Sequence, residues 1–321
     1  MLRPLRVAAS LGASAWLAGH TELVQAHGIA GGAPTLSRIL SSWSAEALPW
    51  IGVLTATVAY LVAVRLVNRS HVTPVPRWRV AAWLAGMATI GIALLSAVDS
   101  YSTDLLSVHM VQHLILAMVA PPLLAIGAPI TLLLRVSAPG IRRSVILPIL
   151  HSRAVQAIAW PPVGWVAFAA VMWITHFSPL FNAALEDPGL HTIEHLLYLG
   201  AGVLFWWPVI GADPGPWRLR PIPRMAYLAA QMPFNTAVGL AIYFASSVLY
   251  PHYATRIRLW GPDPFTDQQI AGILMWGAGD VILLGALVLA AAAWLRAEEE
   301  HSRRIEARGA RNVERGPVES P

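Results

Sequence analysis

The chain has no cysteine and no lysine, and only 12% of its 321 residues are charged. Without cysteine there is no disulfide framework, no thiolate zinc site and no C-x-x-C copper or redox motif, so soft-metal chemistry would have to use His and Met. Without lysine, all 22 basic residues are Arg. They are spread between apolar stretches rather than gathered on a soluble domain, so the basic balance does not point to a nucleic-acid partner. So little charge, with 56% hydrophobic residues and a mean hydropathy of +0.57, excludes an ordinary water-soluble fold. What remains is an all-α polytopic membrane protein whose solvent is the lipid bilayer.

Seven segments are long and apolar enough to cross a hydrocarbon core: residues 48–67, 78–98, 108–134, 154–176, 190–211, 224–249 and 270–295. Arg65, Arg69, Arg77 and Arg79 follow the first span, Arg135, Arg142, Arg143 and Arg153 the third, and Arg218, Arg220 and Arg224 the fifth. Positive charge marks the inner side, which predicts seven transmembrane helices in an N-out/C-in bundle. Residues 1–26 read as a signal peptide, with Arg3 and Arg6 ahead of an apolar run and Val24-Gln25-Ala26 as its cleavage site. Residues 27–47 then form an extracytoplasmic segment starting at His27, 48–295 one membrane domain, and 296–321 a polar cytoplasmic tail.

On this topology seven of the eleven histidines face outward, and four of them form two H-x-x-x-H pairs, His109 with His113 and His191 with His195. Residues four apart share a helix face. Each pair can therefore aim two imidazoles at one ion near the outer end of its span, with Glu194 beside the second pair as a ligand or tautomer-fixing partner. His176 lies one turn beyond Met172, whose thioether suits Cu(I), and Met275 sits at similar depth in the last span. Asp280 falls near the middle of that span, where an ionised carboxylate is expensive and faces a partner or a proton path. Asn235, close after Pro233, is placed to bond carbonyls that a proline kink frees. His252 reads as an interfacial residue, His20, His71, His151 and His301 as solvated ones, and Trp206 and Trp207 as headgroup anchors.

Five motifs in order, H-M-V-Q-H-L at 109–114, T-H-F-S-P-L-F-N at 175–182, H-T-I-E-H-L at 191–196, F-W-W-P-V-I at 205–210 and D-Q-Q-I-A-G-I-L-M-W at 267–276, resemble the CtaG-like cytochrome c oxidase assembly factors, the multi-span type associated with caa3 oxidase. The resemblance implies a seven-helix plasma-membrane protein that helps mature a haem-copper oxidase by handling copper. It places the family's characteristic residues on His109, His113, His176, His191 and His195, with Asp267 and Met275 in the last motif. The expected activity is non-enzymatic: copper, as Cu(I) or Cu(II), is taken from an extracytoplasmic donor, with His27 as a capture group, and passed to cytochrome c oxidase subunits. Two alternatives stand beside it. One is a haem-binding cytochrome or haem-modifying protein with His113 and His195 as axial ligands; the other is a metal-dependent membrane hydrolase or oxidase with Glu194 as general base.

Overall fold

A computed structural model of the protein describes residues 32–70 and 73–314, the side chains of 307–314 excepted. The predicted signal peptide, His27 and His71 lie outside the described residues. Among the described residues every regular element is helical. The long helices are α1 (Ala47–Ser70), α2 (Arg77–Leu95), α3 (Leu106–Val136), α4 (Pro161–His176), α5 (Pro179–Glu186), α6 (Pro188–Ile210), α7 (Pro221–Tyr243) and α8 (Pro264–Glu306).

Five of these, α1, α2, α3, α6 and α8, are long and apolar enough to cross a membrane, and α4 with α5 makes a sixth if the bent pair is one span. The expectation was seven, and two local features account for the difference. Helix α4 has only 16 residues, because a separate short helix takes Arg153–Ile158 and Pro161 and Pro162 cannot continue it, while Pro179 keeps α4 from running on past its end. Ser178 instead caps a new helix by accepting the Leu180 N–H at 3.2 Å, and α5 leaves α4 at 73°. Helix α7 has 23 residues but carries Arg224, Gln231, Asn235 and Thr236, which lower its apolar content.

Helix α3 is the central one, packed against α2 and α6 and, through its first turns, against the start of α8. Its regularity breaks twice. Pro121 has no N–H to offer the Ala117 carbonyl; the chain passes through a π turn at Ile115–Val119, and the Ala117 oxygen accepts instead from Trp206 Nε1 of α6 at 3.2 Å. Gly202 permits this approach, since a Cβ there would stand 2.5 Å from the same oxygen. Trp206 is thus no headgroup anchor: it is 2% exposed and repairs a proline-broken helix from the side. The second break is at Ala128, held in the left-handed region at φ 50°, a conformation costly for any residue with a Cβ. Tyr60 secures it by donating to the Gly127 carbonyl at 2.8 Å. Asp213 does so by accepting from the Ile130 N–H at 3.1 Å, the Thr131 N–H at 2.6 Å and the Thr131 hydroxyl at 2.5 Å.

Candidate metal centre

The first turns of α3 carry His109 and His113, and a carboxylate from another helix fixes where they begin. Asp267 of α8 accepts from the Leu106 N–H at 2.7 Å, the Ser107 N–H at 3.4 Å and the Ser107 hydroxyl at 2.5 Å. It thereby satisfies donors that a buried helix start would leave unpaired. The Arg258 guanidinium stands 3.8 Å from it. Asp267, expected among the site residues, is therefore occupied in holding the histidine-bearing turn and does not face the imidazoles as a ligand.

From that start, the four-residue spacing brings His109 Nε2 and His113 Nε2 to 2.8 Å. Glu194 of α6 completes the group, with Oε2 3.9 Å from His109 Nε2 and Oε1 3.9 Å from His113 Nε2. The donor atoms of these three buried residues lie within 4.8 Å of one another. Two ligands about 2 Å from one ion at a tetrahedral angle stand about 3.3 Å apart, between the two observed separations. The other expected histidines join the same cluster: the His191 ring lies 5.4 Å from His109 and 4.1 Å from His195, and His176 lies 5.8 Å from His113, between ring centres.

Hydrogen bonds decide which nitrogens can act as ligands. Tyr253 Oη gives its one proton to the Ser102 carbonyl at 2.7 Å, so it accepts from His109 Nδ1–H at 3.2 Å. The lone pair of His109 is then on Nε2, toward His113 and Glu194. Tyr198 stacks on the His113 ring with centres 3.8 Å apart. His113 Nδ1 and both Glu194 oxygens are buried without a hydrogen-bond partner, an arrangement that costs free energy unless a cation or proton fills it. Phe181 of α5 covers the cluster, its ring centre 5.0 Å from His109, 6.0 Å from His113 and 5.5 Å from His176.

The sulfur ligands fall differently from expectation. His176 Nδ1 is 2.7 Å from the Met172 carbonyl, so Met172 engages His176 by its backbone. The thioether at His176 belongs to Met110, whose Sδ is 3.3 Å from Nε2. Met275 is completely buried in the apolar core, and its carbonyl accepts from Asn235 Nδ2 at 3.2 Å. Asn235 therefore serves α8, where a π turn at Leu274–Ala278 disturbs the bonding, rather than the kinked helix on which it sits. Asp280 belongs to this second group, accepting from Thr236 Oγ1 at 2.5 Å and Asn235 Nδ2 at 3.1 Å. Met110, Tyr253, Tyr198 and Phe181 were not anticipated. Only Met110 had a local signal, its place between the paired histidines in H-M-V-Q-H.

Two cavities reach the cluster from different sides. One of about 390 Å³ lies between α1, α2 and α6, with Glu46 and Asp99 on one wall and His191 and His195 on another. Burial raises the Asp99 carboxyl to about 7, and the nearby Glu46 pushes it the same way. The other, about 550 Å³, sits at the α4–α5 bend and is lined by His176, Asn182, Glu186 and Tyr250 among others.

Known proteins share this chain's sequence pattern. An uncharacterized protein of Mycobacterium bovis and one of Mycobacterium tuberculosis are each 31% identical over 288 residues, covering 88% of this chain and 43% of the relative. An uncharacterized protein of Mycobacterium leprae is 30% identical over 270 residues, covering 82% of this chain and 41% of the relative. The chain thus spans less than half the length of these curated relatives. No solved structure matches it. The family model described as cytochrome c oxidase caa3 assembly factor (Caa3_CtaG) matches residues 58–297, a stretch that contains all five clustered histidines, Glu194 and Met110. The protein therefore belongs to the cytochrome c oxidase caa3 assembly factor family.

Proposed function

We propose that this protein is a non-enzymatic assembly factor that holds copper at His109, His113 and Glu194, with His191 and His195 beside them, and passes it to cytochrome c oxidase subunits within the membrane. The observation that carries this reading is the set of buried donors: two imidazole nitrogens and a carboxylate, converging among apolar helices, with both carboxylate oxygens lacking a hydrogen bond. Imidazole suits copper in either oxidation state, and a site of nitrogens without thiolate favours exchange over permanent storage. Family membership supplies the oxidase as the partner. The distribution of Arg supports an N-out/C-in placement in the plasma membrane, with the histidines on the side of an extracytoplasmic copper donor. The packing around His113, closed by His109 at 2.8 Å and by the face of Tyr198, favours a small ion over a macrocycle between axial ligands.

The test is the copper content of the purified full chain and of the oxidase from the same cells. Glu194→Gln and the double variant His113→Ala/His195→Ala are expected to lower copper on the protein by at least about 10-fold, and oxidase copper with it. Unchanged copper in both proteins overturns the reading.

A further inference from the structure

We infer that His176 and Met110 form a second metal site, a nitrogen–sulfur pair for a soft monovalent cation such as Cu(I), between the cavity at the α4–α5 bend and the His109–His113–Glu194 centre. As a binding site it stands on its own geometry; as a station for the same cargo it rests on the copper reading above.

Thr175 Oγ1 gives its proton to the Val171 carbonyl at 2.7 Å. It is also 2.5 Å from Tyr198 Oη, so in that contact Tyr198 is the donor and its only proton is committed. Neither hydroxyl has a proton left for His176 Nδ1, although they lie 3.3 and 3.1 Å from it. The remaining neighbour is the Met172 carbonyl at 2.7 Å, which can only accept. Nδ1 is therefore the protonated nitrogen, and Nε2 turns its lone pair to Met110 Sδ, another lone-pair bearer, at 3.3 Å. A proton on Nε2 as well would bury a positive charge against a thioether, a weak acceptor. A cation bound by both atoms resolves the conflict. Bonds of about 2.0 Å to nitrogen and 2.3 Å to sulfur, at an angle of about 100°, put the two atoms about 3.3 Å apart.

The chemistry selects the ion. A thioether is a soft, neutral ligand that holds Cu(I) and discriminates against hard divalent cations. The position gives access: His176 lines the outer cavity with Asn182 and Glu186, and its other side is 5.8 Å from the His113 ring. Met110 and His176 are 0% and 3% exposed, so the pair is held in place by the core.

The experiment loads the purified full chain with Cu(I) under anaerobic reduction and reads the ligands by X-ray absorption, with Ag(I) uptake as a redox-inert companion measurement. The wild type is expected to show a sulfur neighbour at copper, which disappears in Met110→Leu, returns in Met110→Cys, and persists in Met172→Leu and Met275→Leu. Leucine replaces methionine with little change in volume, so the fold is retained. The double variant His109→Ala/His113→Ala is expected to keep one Ag(I) equivalent and to lose it when Met110→Leu is added. Copper bound by the wild type through nitrogen and oxygen alone, or a sulfur signal removed by Met172→Leu or Met275→Leu, overturns the inference and leaves the proposed function standing. A wild type that takes up copper with a sulfur neighbour, in an amount unchanged by His109→Ala/His113→Ala, overturns the proposed function and supports the pair. Absence of both ions from every form overturns both.

Discussion

Helix α3 starts twice, first at Leu106 under the carboxylate of Asp267 and again after the break at Ala128 under that of Asp213. Each aspartate comes from a distant part of the chain, and each accepts two backbone N–H groups and one hydroxyl, that of Ser107 or Thr131. Beyond this shared construction the two regions differ. Around the second start Tyr60 donates to the Gly127 carbonyl and Asp213 caps the helix N-terminus, and Trp83 Nε1, on the ring stacked against Tyr60, is a buried donor left without a partner. Around the first, His113 Nδ1 and both Glu194 oxygens have donor or acceptor capacity left over. The same capping thus leaves a spare donor at one start and spare carboxylate oxygens at the other, and only the carboxylate can take up a cation or a proton.

Removing the two caps should set the regions apart most strongly. Asp267→Ala and Asp213→Ala each remove three hydrogen bonds from a helix start, and each is expected to cost about 2 kcal/mol or more of stability, measured by unfolding in detergent. Only Asp267→Ala should also weaken copper binding, because only that cap sets the position of His109. Equal copper affinity in the two variants would show that the first turn of α3 does not need its cap to present the imidazole. Tyr253→Phe is a milder intervention. It leaves the fold nearly unchanged but removes the acceptor that keeps the proton on His109 Nδ1, and copper affinity should fall by about 10-fold, read by competition with a chelator.

The smallest effect lies at Asp99, on the wall of the cavity that reaches His191. Its carboxyl is raised to about 7 by burial, so the folded state favours the protonated form. The stability this brings is fully present below the ordinary carboxylate range and is lost as the pH rises through about 7. Melting temperatures should decline from about pH 4 to about pH 7 in the wild type and level off above that, with a shallower decline over the same window in Asp99→Asn.

The sequence made the pairs legible because a spacing of four is itself a geometric statement: once the segments are helices, His109 must sit beside His113 and His191 beside His195. That the two pairs come together, with Glu194 of the second helix beside His109 and His113, was expected from placing them at similar depth. What spacing cannot express is which side chain of one helix meets which of another. Met110 at His176, Tyr253 at His109 and Asp213 at Thr131 are joined across 66, 144 and 82 residues, and no local pattern announces them. Asp267 was misread for a related reason, since a motif shared by a family marks a position as needed without saying for what. The span count fell short because the hydropathy reading, in placing a span at 154–176, ran through the break between Ile158 and Pro161 and treated α7 as apolar despite Arg224, Gln231 and Asn235.

Phe181 carries one more consequence. Its ring touches His109, His113, His176 and, at 4.4 Å between centres, Tyr250, and it belongs to the helix that bends away at Pro179. An ion that met His176 on the α4–α5 cavity and moved on to His109 and His113 would pass this hydrocarbon surface, and would have to shed its remaining water before the inner ligands could replace it. Entry is then a contest of dehydration: tightly hydrated divalent ions such as Mg²⁺ give up water reluctantly, whereas a weakly hydrated monovalent ion pays little at the same threshold. The aromatic ring would thus sort ions by how readily they undress, ahead of any preference that His109 and His113 express.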